Sequence, residues 1–229
     1  MLKLLSVLTE VIYPYRCIIC HKIVSNKNQV CSECLKVINI RFVDANVLSN
    51  NQMDGLVFCS NYQDVKSCIK AAKYENKPSS VEILGKTMAD LWLSEQVDYF
   101  EQYYNVMLGK CIAVCVPTDY KRRIQRGYDV PQLLFADFLS KHGIVYKNIL
   151  RRTRLTMPQF DLNRQQRLDN VANSVTTIME LQGENVILID DIFTTGASMN
   201  EATKVLKLNG ACKVIGLAFC SDLSADALA

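Results

Sequence analysis

Short, almost wholly apolar runs alternate along this chain with stretches whose apolar residues recur every three or four positions. Residues 55–60 (GLVFCS), 111–117 (CIAVCVP), 186–190 (VILID) and 213–219 (KVIGLAF) are of the first kind and predict strands buried on both faces. Residues 65–72, 81–97, 130–139 and 200–208 are of the second kind and predict helices. In 81–97 the apolar positions 81, 84, 88, 91 and 92 make one stripe, and Asn209-Gly210 stops the last helix. Buried strands alternating with helices imply an α/β fold with a mainly parallel sheet.

The first fifty residues break that rhythm. Four of the ten cysteines lie between Cys17 and Cys34, and a polar stretch at 44–53 follows. We place a boundary at about residue 50, giving a four-cysteine module over 1–50 and an α/β domain over 51–229, which the length of 229 residues accommodates. Apolar residues at 2, 5, 8 and 11 suit an amphipathic helix. Ser6, Thr9 and Glu10 interrupt that stretch and no small-x-small cleavage site follows, so it does not read as a signal peptide. No apolar run approaches the roughly 18–20 residues that cross a bilayer. A cytoplasmic location is therefore expected, and in a reducing compartment the cysteines read as ligands or core residues before disulfides.

Cys17-Ile-Ile-Cys20 and Cys31-Ser-Glu-Cys34 are two C-x2-C pairs. Each spacing lets a tight knuckle aim two thiolates at one point, and two knuckles complete a tetrahedron around zinc (Zn2+). Cys17-x-x-Cys20-His21 also spells a haem attachment motif, but that reading leaves Cys31 and Cys34 unexplained. An iron–sulfur cluster is compatible with four thiolates, so zinc versus iron stays open. With no open position the site is expected to be structural. Cys59, Cys68, Cys111, Cys115, Cys212 and Cys220 sit in apolar segments and are expected in the core.

The segment 186–198 (VILIDDIFTTGAS) carries the densest chemistry. A buried strand delivers Asp190 and Asp191 to its C-terminal end, where open α/β sheets bind ligands. A loop of Thr194, Thr195, Gly196, Ala197 and Ser198 then enters a helix, whose first N–H groups and hydroxyls can enclose a phosphate. The carboxylates would repel that phosphate and must face another part of the ligand. Ionised carboxylates are pure acceptors, and the 2′- and 3′-hydroxyls of a ribose are donors. A ribose 5-phosphate fits. As groups at a strand end, the two carboxylates are expected at the surface, carrying little of the fold's stability. A nucleotide-hydrolase reading, with Gly85-Lys-Thr87 as the end of a P-loop, lacks the required glycine at Ser80 and sets Gly85 inside a predicted helix.

The run of four apolar residues, Asp-Asp, two apolar residues and Thr-Thr-Gly-x-Ser resembles the phosphoribosyl pyrophosphate (PRPP) motif of type I phosphoribosyltransferases. With the four-cysteine segment attached, the chain is similar to the ComF competence-protein family. Leu150 to Gln159 (LRRTRLTMPQ), with Leu162, Arg164, Arg167 and Asn170, resembles that family's central signature, and Arg126-Gly-Tyr-Asp129 resembles its Arg-Gly-Phe-Asn segment, departing at Asp129 and Val130. The resemblance implies a type I phosphoribosyltransferase fold behind a small zinc-ribbon-like module. It implies ribose contacts from Asp190 and Asp191, which would be the catalytic pair, and phosphate contacts from Thr194, Thr195, Gly196, Ala197 and Ser198. It also implies a diphosphate loop at residues 71–74 (AAKY) with Lys73 on the diphosphate, and magnesium (Mg2+) bridging diphosphate and ribose oxygens. The implied activity is phosphoribosyl transfer from PRPP to an unidentified acceptor, in natural competence and the uptake and processing of DNA. The alternative is a non-catalytic module that senses PRPP or binds single-stranded DNA and docks a partner of the competence machinery.

Overall charge separates these readings poorly. The chain carries 26 Lys/Arg against 23 Asp/Glu, a formal net charge of +3, which by itself does not indicate a nucleic-acid binder. The basic residues are concentrated, however: residues 110–167 hold twelve Lys/Arg against four acids, enough for a local field that suits a diphosphate hood or a groove for nucleic-acid backbone.

Overall fold

The computed structural model describes residues 14–25, 30–44, 52–95, 111–153, 170 and 172–223. The expected amphipathic segment at 2–11, the polar stretch at 45–51, and Lys110, Arg154, Arg164 and Arg167 lie outside them. In chain order the elements are Ser32–Leu35 (α1), Ile38–Asp44 (β1), Gly55–Asn61 (β2), Tyr62–Tyr74 (α2), Ser79–Glu95 (α3), Cys111–Cys115 (β3), Tyr120–Arg126 (α4), Val130–Lys141 (α5), Val145–Tyr146 (β4), Leu150–Arg152 (β5), Val175–Thr177 (β6), Asn185–Phe193 (β7), Ala197–Leu208 (α6) and Val214–Ser221 (β8).

Six strands form one sheet in the order β1-β2-β8-β7-β3-β4, parallel throughout except where β1 meets β2. Strands β5 and β6 make a separate antiparallel ribbon. Successive side chains on a strand point to opposite faces, and β7 shows what that does at the centre of a covered sheet. Ile187 and Ile189 pack in one core with Trp92, Phe135 and Phe138 from α3 and α5. Val186 and Leu188 pack in the other with Met199 and Leu206 of α6 and Val175 of the ribbon. All four β7 residues are fully buried, which is why their run reads as unbroken apolar sequence rather than alternation.

The helices of the first face touch closely. A Cβ on Gly85 of α3 would lie 2.2 Å from the Leu134 carbonyl oxygen of α5, so only glycine fits that crossing. Gly85-Lys-Thr87 is thus helix interior, and the P-loop reading fails on geometry. Helix α2 is longer than the predicted 65–72. It runs to Tyr74, so residues 71–74, expected as a loop, form its last turn.

Besides the short α1 and β4, three features were not predicted. Strand β1, which precedes residue 50, hydrogen-bonds antiparallel along β2 and closes that side of the sheet. Ser60 Oγ strengthens the junction by donating to the Val37 carbonyl at 2.8 Å. Helix α4 is capped at its start by Asp119, whose carboxylate accepts from the N–H groups of Lys121 and Arg122, and ends at Gly127 with φ +78°. None of its side chains is buried, so it has no apolar stripe to read. The third is the β5–β6 ribbon. Among the expected core cysteines, Cys59, Cys68, Cys115 and Cys220 are buried and Cys111 is half-buried, but Cys212 is exposed. It sits in the turn between α6 and β8, where its N–H bonds the Glu184 carbonyl at 3.0 Å. No helix of the described residues is long and apolar enough to cross a membrane.

Candidate functional site

Cys17, Cys20, Cys31 and Cys34 converge, their sulfurs all within 4.8 Å of one another. A tetrahedron with arms of about 2.3 Å has edges of about 3.8 Å, and Cys20 Sγ lies 3.7 Å from Cys31 Sγ. The donor set therefore fits a zinc ion held by four thiolates. The electrostatics agree. Burial works against ionisation of Cys17, but N–H groups of Cys20, Cys31 and Ile19 outweigh it and bring its pKa to about 6. Cys34 is driven the other way by burial and by the sulfurs around it. Such crowding is relieved by a divalent cation at the centre. The two residues inside the first pair face inward: Ile18 and Ile19 pack against both the cysteine cluster and the main core. The Ile18 carbonyl accepts from Cys68 Sγ of α2 at 3.1 Å.

At the far end of β7 the two adjacent carboxylates separate. Asp190 continues the face of Val186 and Leu188 and lines a cleft with Thr194, Gly196, Ala197, Ser198 and Met199. Asp191, only 6% exposed, continues the opposite face. Its carboxylate receives Lys73 Nζ from the last turn of α2, at 2.9 Å to Oδ1 and 2.7 Å to Oδ2. The structure corrects the expectation of a surface pair: Asp191 is a buried partner in an ion pair, because β7 is an inner strand and the last turn of α2 brings Lys73 to its end.

The loop has the form an anion needs. Gly196 is in the left-handed region at φ +73°, and a Cβ there would meet the Phe193 ring at 2.8 Å, so the turn demands glycine twice over. Helix α6 begins immediately after it, with the Ala197 N–H turned toward Thr195 Oγ1 at 3.4 Å. Its N-terminal N–H groups open on the cleft that holds Asp190. Burial first, and the Asp191 carboxylate second, raise the pKa of Asp190 to about 8, against the pull of Lys73, the Asp191 N–H and Arg152. A carboxyl that holds its proton more readily than an ordinary aspartate repels a phosphate in the same cleft less. Burial opposes the Lys73 ammonium, but Asp191 and then Asp190 keep its pKa above the ordinary lysine value.

Of the residues expected at this site, Asp190, Thr194, Gly196, Ala197 and Ser198 line one cleft, Thr195 braces its loop, and Asp191 with Lys73 forms a pair behind the strand. Other residues lie close by: Arg152, Tyr128 and Asp129 belong to segments singled out in the sequence by resemblance, and Thr118 to none. Arg152 of the ribbon reaches the end of β3, its Nε donating to the Pro117 carbonyl at 2.7 Å. Thr118 Oγ1 donates to Asp129 Oδ1 at 2.7 Å, and Tyr128 Oη donates to the Ala72 carbonyl at 2.6 Å.

A double zinc ribbon domain matches residues 8–45, and a phosphoribosyl transferase domain matches residues 142–227. The competence protein F of Haemophilus influenzae is 27% identical over 203 residues, 86% of this chain and 80% of that protein. The DNA utilization protein YhgH of Escherichia coli K12 is 31% identical over 112 residues, 48% of this chain, and the match spans about half of YhgH, 49% of its length. Among solved structures, the adenine phosphoribosyltransferase of Leishmania tarentolae aligns over 90% of each chain at 14% identity, with a TM-score of 0.35. The observed sheet and cysteine cluster accord with the two domain matches: a phosphoribosyltransferase-type α/β fold with an N-terminal zinc ribbon. One competence protein aligns with 86% of this chain, and together with the two domain matches this makes the chain similar to the ComF competence-protein family.

Proposed function

We propose that this chain binds PRPP in the Asp190 cleft and acts as a phosphoribosyltransferase-family protein in natural competence, in the uptake and processing of DNA. The observation that carries the reading is the placement of a strand-end carboxyl opposite a glycine-opened helix N-terminus in one cleft. The N–H groups and hydroxyls of residues 194–198 hold the 5′-phosphate. At the end of β7, Asp190 from the cleft face and Asp191 from the opposite face take the ribose hydroxyls of a ligand that reaches past the strand end, and Lys73 exchanges part of its contact with Asp191 for the diphosphate. Bound Mg2+ would neutralise charge on the diphosphate as it leaves C1′. The chain's own contribution is positioning and fixed positive charge at the leaving group.

Titration calorimetry with PRPP and Mg2+ tests the reading. Micromolar binding that disappears in the Asp190→Ala, Asp191→Ala double variant supports it, and equal affinity in both proteins refutes it. A second reading, a PRPP sensor that handles single-stranded DNA and docks a competence partner, is favoured by α4. That helix exposes Lys121, Arg122 and Arg123 to solvent, with Tyr120 72% and Ile124 61% exposed, and basic side chains interleaved with an aromatic suit a single strand. Pyrophosphate release on adding an acceptor separates enzyme from sensor.

A further inference from the structure

The last carbonyls of a helix have no partner inside it, and a buried helix end must find donors elsewhere. Helix α2 ends beside the proposed site. Its Ala71 carbonyl takes the N–H groups of Glu75 and Lys77. Ala72 is fully buried, and its carbonyl takes the hydroxyl of Tyr128 at 2.6 Å. The next residue is Lys73. Tyr128 itself is fixed from the other side of the site: it follows Gly127, where α4 stops, and precedes Asp129, a buried carboxylate bonded to Thr118 beyond the end of β3. One turn between α4 and α5 thereby ties the end of α2 to the end of β3.

We infer that Tyr128 is a positioning residue for the diphosphate side of the site, acting by holding the last turn of α2 so that Lys73 is presented at the end of β7. The inference rests on the proposed PRPP reading and adds a residue that the ligand need not touch. The phenol is well suited to the task. Burial raises its pKa, so it stays a donor through the neutral range. Its ring packs against the main core, which fixes the hydroxyl in place. Without that hydroxyl the Ala72 carbonyl stays buried and loses a donor. The last turn can then rotate to find water, and Lys73 moves with it.

The experiment compares Tyr128→Phe with the wild type, using PRPP and ribose 5-phosphate, each with Mg2+, as separate calorimetric titrants. Phenylalanine keeps the ring and its packing, and thermal unfolding confirms that the variant is folded at the titration temperature. Loss of one neutral hydrogen bond corresponds to about a three- to tenfold change; we expect PRPP to bind weaker by that factor while ribose 5-phosphate is unaffected. Unchanged PRPP affinity in the variant overturns the inference. Equal weakening of both sugars overturns it too, because that is what general loosening of the fold would produce. A wild type that binds neither sugar refutes the reading of the site itself, and the inference falls with it.

Discussion

Lys73 and Asp191, 118 positions apart in the chain, form a two-point ion pair at the end of the central strand, with Nζ 2.9 and 2.7 Å from the two carboxylate oxygens. The pair does two things. It pins the end of α2 to β7, and it holds a cation and a carboxylate in reserve beside the cleft. A buried pair broken on one side leaves an uncompensated charge, whereas removal of both charges costs far less. In a double-mutant cycle with Lys73→Met and Asp191→Asn, we expect a coupling of about 1–3 kcal/mol in urea unfolding. A coupling near zero would mean that the two side chains are held apart in solution.

Asp190 predicts a pH dependence. Its folded-state pKa is raised from 3.8 to about 8 by burial and by Asp191. Between those values the native state binds a proton that the unfolded state does not, so this group's contribution to stability is fully present below pH 4 and is lost as pH rises through about 8. Urea unfolding at pH 6 and pH 9 should show wild-type stability falling relative to Asp190→Asn, which has no such proton to lose. Parallel profiles for the two proteins would place the proton elsewhere.

Much of this site was legible in the sequence because its signals are local. The apolar run into Asp190-Asp191 and the Thr-Thr-Gly-x-Ser turn are consecutive residues whose chemistry does not depend on distant partners. The paired cysteines were legible for the same reason, since each pair fixes its own knuckle. What escaped depends on contacts across the chain. Lys73 was placed in a loop because nothing near it announces the Tyr128 hydroxyl or the Asp191 carboxylate that extend α2 to Tyr74. Helix α4 was invisible because a helix with no buried face leaves no stripe. The split between Asp190 and Asp191 was implicit in strand alternation but needed the identity of what covers each face.

Gly196→Ala tests the phosphate turn. The substitution imposes a side chain at φ +73° and drives it into the Phe193 ring. We expect about 1–2 kcal/mol of lost stability from the backbone alone, read as a lower urea midpoint. Affinity for ribose 5-phosphate and PRPP should fall together, unlike the split expected for Tyr128→Phe. Retention of full ribose 5-phosphate affinity would move the phosphate out of this turn.

The cysteine cluster should matter beyond its own residues. Ile18 and Ile19 reach the main core, and Ile18 accepts a hydrogen bond from Cys68 in α2. Chelation of the metal, or Cys17→Ser with Cys20→Ser, should lower amide-exchange protection around Cys68 as well as around the cysteines. If only residues before 38 lose protection, the contact is passive.

The ribbon also passes directly into β1, and β1 supplies the antiparallel edge of the sheet. Exchange of this ribbon for one from another protein would therefore be an operation on both parts at once. A donor ribbon would need aliphatic residues between its first two cysteines and a following strand whose alternation matches β2. Lineages that shuffle these modules should carry the ribbon, its aliphatic pair and the edge strand together as one inherited block.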